Sequence, residues 1–173
     1  MYITLFRILK KFFSEAFLFK HGFNLSPMYR RSTGRVYAVS QDLLEAKVKI
    51  PLSYKNKNYV NSIYGGSLSS ATDPIYMIQL IQVLGDDYVV WDKAATIKFK
   101  RPAKETAYAN FVFSLEEIEQ IKKDIREQKE IDLIKEVTLT NKDGSVVFAE
   151  VSKTIYVADK IHYKEKRKAR NTK

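Results

Sequence analysis

The chain has no cysteine and only two histidines among its 173 residues. Without a thiol there is no disulfide framework, no thiolate zinc site and no cysteine nucleophile, and the composition suits a reducing, cytoplasmic compartment. His21 has no carboxylate near it in sequence, and His162 stands between Asp159 and Glu165 in a basic C-terminal stretch. Neither belongs to a ligand set, so no metal is expected. A long apolar run is missing from the N-terminus as well. Arg7, Lys10, Lys11 and Glu15 interrupt the first twenty residues, where a bilayer span needs about 20 apolar ones. A transmembrane segment or a signal-peptide core is thereby excluded there.

What is present is enough apolar surface for one sizeable core, with hydrophobic residues at 45% and aromatics at 13%. The formal charge of +10 is unevenly spread. Residues 160–173 carry seven Lys or Arg against one Glu, so six of the ten charges fall there and the body is only mildly basic. That stretch reads as a solvated, frayed tail, with phosphate or membrane contact as the minority reading.

At the other end Tyr2, Leu5, Phe6, Leu9, Phe12, Phe13 and Ala16 recur at helical spacing, opposite Arg7, Lys10, Lys11 and Glu15. The expectation is an amphipathic helix over residues 1–22, packed on the domain or a second subunit, or else lying on a lipid surface. The folded domain would then occupy residues 23–159, followed by the tail at 160–173.

Within the domain the period changes from 3.6 to 2. Ala46, Val48, Ile50 and Leu52 alternate with charged or polar positions, and the stretch from Val36 to Leu52 predicts two strands. From Gly65 to Gly85 charges are nearly absent, and Ile75, Ile78, Ile81, Met77, Leu80 and Leu84 cover two neighbouring helical faces. A helix this apolar must be wrapped by other structure. Strands follow at Tyr88 to Phe99 and Ala107 to Phe113. Ser114 and Glu117 form a capping box ahead of a surface helix carrying Ile118, Ile121 and Ile125. Two last strands, Ile131 to Thr140 and Ser145 to Val157, are joined by a turn containing Asp143-Gly144. The expected architecture is α+β: an antiparallel sheet of about six strands around a long central helix.

One local constellation has chemical character, from Asn58 through Asn61, Ser62, Tyr64, Gly65, Gly66 and Ser67 to Asp73-Pro74. Paired glycines before a helix admit a ligand to the backbone, and the first free N–H groups with the helix dipole favour negative charge. Asp73 lies seven residues after Gly66, two turns on, and so on nearly the same helical face. Asp followed by Pro also suits an N-cap and first helical position, which makes Asp73 a simple cap. If the helix instead starts near Ser67, Pro74 lies inside it at a cost of roughly 3 kcal/mol, which usually marks a site. Both readings stand on local sequence. Asn58 by itself reads as a turn residue. Asp92 and Lys93 place charge in an otherwise apolar strand, which calls for a pair between the two, a partner contact or a ligand contact.

The block from Asn58 to Asp73 resembles the N-x-x-G-[ST]-x-H-G-G-(x)6-D pattern of hotdog thioesterases of the phenylacetyl-CoA and 4-hydroxybenzoyl-CoA type. The pieces YGGSLSSATDPIYM, LGDDYVVWDKAATIKFKRPA and FNLSPMYRRSTGRV are more similar still to a hotdog family catalogued as domain of unknown function 4442, over about Phe23 to Val157. The resemblance implies a homodimer or tetramer that takes acyl-CoA at the subunit interface. It implies that Gly65 and Gly66 bind the oxyanion and that Asp73 acts as base or nucleophile. Asn58 would position water or substrate, Asn61, Ser62, Tyr64 and Ser67 would line the substrate site, and Asp92 falls near a position facing the other subunit's site. Tyr64 replaces the family histidine and Asn61 the family glycine. The expected activity is hydrolysis of an acyl-CoA thioester, with coenzyme A as part of the substrate and no separate cofactor. The alternative is a non-catalytic acyl-chain or lipid-binding module at a membrane. Nucleic acid is not an expected partner, because no aromatic-and-glycine reading motif is present.

Overall fold

A computed structural model describes residues 9–171. The first helix, α1, spans Glu15–Leu25 and is capped by Ser14, whose Oγ accepts from the Phe17 N–H at 3.2 Å. A turn over residues 10–13 precedes it, so the helix expected from the N-terminus does not run unbroken through Phe12 and Phe13. The part of that expectation before Leu9 lies outside the described residues. Ala16, Phe19 and Phe23 pack into the core, so α1 sits on the body of the domain. A short helix α2, Pro27–Arg31, follows and buries Tyr29.

Six strands form one antiparallel sheet: β1 Arg35–Val39, β2 Glu45–Ile50, β3 Tyr88–Phe99, β4 Ala107–Val112, β5 Glu130–Thr140 and β6 Val147–Asp159. Their order is β1-β2-β4-β5-β6-β3, which leaves β1 and β3 at the edges. The alternation read from the sequence is the burial seen: Ala46, Val48 and Ile50 are fully buried while their neighbours are half exposed. Between β2 and β3 come α3, Gly65–Thr72, and α4, Ile75–Leu84. Leu68, Ala71, Ile75 and Leu80 share one core with the inward rows of the sheet.

The central helix is therefore in two halves. Asp73 and Pro74 both keep right-handed helical angles, and the Ile78 N–H still reaches the Pro74 carbonyl at 3.1 Å. Proline has no N–H to give to Ser70, so the helix kinks there rather than ending. Three side chains pin the halves. The Tyr29 hydroxyl donates to the Ala71 carbonyl at 3.0 Å, the Tyr76 hydroxyl to the Glu136 carbonyl at 2.9 Å, and Gln79 Nε2 to the Leu43 carbonyl at 3.0 Å.

Helix α5, Leu115–Gln128, carries Ile118, Ile121 and Ile125 inward. Ser114 Oγ accepts from the Glu117 N–H at 3.1 Å, but the Glu117 carboxylate turns to Lys135 Nζ at 2.8 Å. Only half of the expected capping box forms. The basic stretch is not frayed either: Lys160–Asn171 is a helix, α6. Asp159 Oδ1 accepts from the N–H groups of Ile161 and His162 at its start. Trp91 stacks on Tyr156 and meets Tyr163 of α6 edge-on, while Lys166 pairs with Glu130. Those tertiary contacts order a segment whose composition alone predicts fraying.

Candidate active site

The residues singled out in the sequence fall into two places. The first is the start of α3. Tyr64 occupies the N-cap in an extended conformation with no side-chain cap bond. The Gly65 and Gly66 N–H groups make no hydrogen bond among the described residues. Side chains of neighbouring aromatics lie over both glycines. A Cβ on Gly65 would come within 2.7 Å of Phe99 Cζ, and one on Gly66 within 2.2 Å of Tyr64 Cε1. Glycine is needed at both positions for those rings to close in. Asn58, Ser62, Gly65 and Phe99, with Lys100 and Arg101, line a cleft of about 380 Å³ at this helix start. Free amides at the positive end of a helix, with Gly65 on a cleft that also carries Arg101 and a Lys100 paired to Glu150 at 2.9 Å, can receive an oxygen that gains negative charge.

The loop before the helix is built by Asn58. Its Oδ1 accepts from the N–H groups of Val60 and Ser62 and from the Ser62 hydroxyl, at 3.0 to 3.2 Å. That oxygen is committed to its own turn, as the residue type alone implies. Asn61 has φ +60°, the left-handed region. Glycine and asparagine are the residues that enter it most readily. A glycine at position 61 would accept the same backbone path. Ser62 and Ser67 are buried, and Tyr64 is exposed with its ring over Gly66.

The second place is the kink. Asp73 does not cap α4; its Oδ1 lies 2.7 Å from Lys153 Nζ and its carbonyl oxygen 2.9 Å from the same atom. Asp92 Oδ2 completes the set at 2.8 Å. Lys153 is 1% exposed, Asp92 20% and Asp73 59%. Burial pushes the Asp92 carboxyl above its ordinary range, the nearby Lys153 ammonium opposes that, and the Asp73 charge adds to it. Asp92 Oδ1 is buried with no hydrogen-bond partner among the described residues.

Of the readings open for Asp92 and Lys93, a pair between the two does not occur. Asp92 stands opposite Ile155 and Ala94 opposite Thr154, so Lys93 is the extra residue of a β-bulge. The bulge sends Lys93 outward to Asp132 Oδ2 at 2.6 Å and leaves Asp92 facing inward. Lys153 was missed in the sequence, although a signal was there. It stands in the inward row of β6 with Ala149, Val151, Ile155 and Val157, the one charge among apolar residues.

In a single chain the two places stay apart. Seven residues of helix separate Gly66 from Asp73, roughly 10 Å along the axis. Edge strand β3 pairs only with β6, and Ala94, Ala95 and Thr96 along it are exposed.

Known proteins resemble the chain in sequence and in fold. The family described as Domain of unknown function (DUF4442) matches residues 11–157. The chain belongs to this family. As a DUF4442 protein it shares its fold with solved structures at low identity. A protein of unknown function from Pseudomonas aeruginosa, named a probable thioesterase, has a TM-score of 0.72 at 23% identity, covering 82% of this chain and 94% of that one. A protein of unknown function from Chlorobaculum tepidum gives 0.65 at 15%, covering 81% and 91%. A thioesterase from Haemophilus influenzae gives 0.57 at 9%, covering 82% and 88%. Together with the six-stranded antiparallel sheet around the kinked helix, these show the DUF4442 chain to have the hotdog fold. No curated protein matches the chain.

Proposed function

We propose that the protein hydrolyses acyl-CoA thioesters at the start of α3. The observation that carries this reading is the pair of unengaged amides at Gly65 and Gly66, the first of them on the cleft beside Phe99. As water adds to the thioester carbonyl carbon, the oxygen becomes an oxyanion that these donors stabilise. The tetrahedral intermediate then collapses with breakage of the C–S bond, releasing a carboxylic acid and the coenzyme A thiol. Asp73 acts as the general base that takes a proton from the attacking water. Because it lies two turns from the glycines of its own chain, the base comes from a second copy. Pairing of two copies along the exposed edge of β3 would bring one chain's kink toward the other's helix start. Arg101 at the cleft, beside a Lys100 that is paired to Glu150, attracts the phosphates of coenzyme A.

A thiol-release assay over short, medium, long and aromatic acyl-CoAs tests the reading, run on the wild type and on Asp73→Asn with ligand-induced melting shifts on the same samples. Turnover lost in the variant, with the melting shift kept, is the expected result. Turnover retained in Asp73→Asn removes the assigned base.

A second reading, a non-catalytic acyl-chain-binding module at a membrane, is favoured by one observation. Phe12, Phe13, Phe17, Leu25 and Met28 are all exposed on the N-terminal segment. Melting shifts without turnover in either protein, together with sedimentation on anionic liposomes that is lost on removal of residues 1–20, would establish it instead.

A further inference from the structure

Burying an ammonium group is costly, and at 1% exposure Lys153 has no solvent to hydrate it. It donates to Asp73 Oδ1 at 2.7 Å and to the Asp73 carbonyl at 2.9 Å, and forms an ion pair with Asp92 Oδ2 at 2.8 Å. An ammonium has three donors and no acceptor. Buried among these three oxygens, Lys153 is closed to a ligand and has no free lone pair with which to attack one. Its chemistry is spent on two neighbours, one of them the proposed base.

What it does to that neighbour is specific. Asp73 sits where Pro74 interrupts the helical bonding, and its side chain is 59% exposed. An exposed aspartate at a helix break would ordinarily sample several rotamers. Here one cation grips both its main-chain oxygen and one carboxylate oxygen. The backbone angle at the kink and the side-chain rotamer are fixed together, and Oδ2 is the carboxylate oxygen outside the lysine's grip. Asp92 supplies the second negative charge that makes the buried cation tolerable. The β-bulge at Lys93 is what turns Asp92 inward to do so. An apolar residue in the inward row of β6 would pack there without any buried charge, and would leave Asp73 unheld.

We infer that Lys153 is a positioning residue for Asp73: it locks the kink of the central helix and presents Oδ2 to the attacking water, with Asp92 as its counter-charge. The inference rests on the thioesterase reading only for its catalytic consequence; the locking of the kink stands on its own. Replacing the pair by apolar residues separates the two roles, since an isosteric apolar pair is often neutral or better for stability. The test uses the full chain carrying Lys153→Met with Asp92→Leu. Should that protein fail to fold, Lys153→Gln with Asp92→Asn, which removes both charges but keeps polar atoms, is read the same way.

Two readouts are taken, acyl-CoA turnover and amide hydrogen exchange. The expected result is a kcat lower by about 10- to 100-fold with KM within about twofold, less than the roughly 10²- to 10⁴-fold lost with the proton-transfer group itself, because Asp73 remains but is no longer held. Exchange at residues 75–78 rises at least tenfold relative to the amides of β4, which serve as the control for global opening. Unchanged exchange at residues 75–78 overturns the inference whatever happens to turnover, and so does an unchanged kcat. A wild type that hydrolyses none of the acyl-CoAs overturns the thioesterase reading instead, and the exchange data alone then decide whether Lys153 locks the kink.

Discussion

Gly65→Ala separates the fold from the proposed chemistry. The new methyl group would meet Phe99 Cζ at 2.7 Å and Cε1 at 3.0 Å, so the ring must move by about 1 Å to restore ordinary contact. Phe99 is 57% exposed and ends its strand, which lets the ring yield. Displacing it from its rotamer costs about 0.5–1.5 kcal/mol. Alanine in place of glycine in a helix returns roughly 0.5–1 kcal/mol. The two nearly cancel, and the melting temperature should stay within about 4 °C of wild type. The methyl group itself points at the ring that lines the cleft, across the approach to the amides. Losing access to one oxyanion donor costs about 2.7–4 kcal/mol, which slows turnover by roughly two to three orders of magnitude. The assay is thiol release beside thermal melting, with Phe99→Ala and the double variant completing a cycle. Removing the ring relieves the clash but leaves the methyl group in the cleft, so the double variant should remain inactive. A stably folded Gly65→Ala with turnover within about threefold of wild type would show that these amides are not the donors.

Three further expectations follow from single contacts. Asn61→Gly should leave the urea midpoint nearly unchanged, whereas Asn61→Val should lower stability by about 1–2 kcal/mol, because φ +60° excludes a β-branched residue. Glu130 is held below the ordinary carboxylate range, first by its hydrogen bond from Lys166 and then by that from Tyr156. A lowered carboxylate contributes above its unfolded pKa and is lost as pH falls through the lower folded value. Docking of α6 should therefore weaken only as pH falls below the ordinary carboxylate range, and emission of Trp91, the only tryptophan, should report this; Glu130→Gln should abolish the transition. Pairing of two copies along β3 predicts that Ala95→Glu, which sets like charges near the shared edge, shifts the particle from dimer to monomer in light scattering.

Much of the molecule was legible because its signals are local. Alternation in residues 45–50 and 147–157, the apolar run from Ile75 to Leu84, and the Asp143-Gly144 turn each follow from one strand, helix or loop. The glycine pair opening α3 was equally visible, since a helix start is a property of adjacent residues. Asp73 was visible as a candidate but not as either a cap or a site residue, because Asp-Pro is compatible with both.

What the sequence by itself determined is the set of faces: which side of each strand and helix is apolar, and which short segments turn. The tertiary structure alone decided the partners. Asp73 and Lys153 are 80 residues apart, and they meet because the central helix packs on the inward row of β6; pairing of β3 with β6, with a bulge at Lys93, brings Asp92 to the same lysine. The same kind of distant contact, between Trp91, Tyr156 and Tyr163, orders the basic C-terminal helix. Periodicity records which way a side chain points; the neighbour it finds there depends on how distant elements pack, and no local pattern carries that.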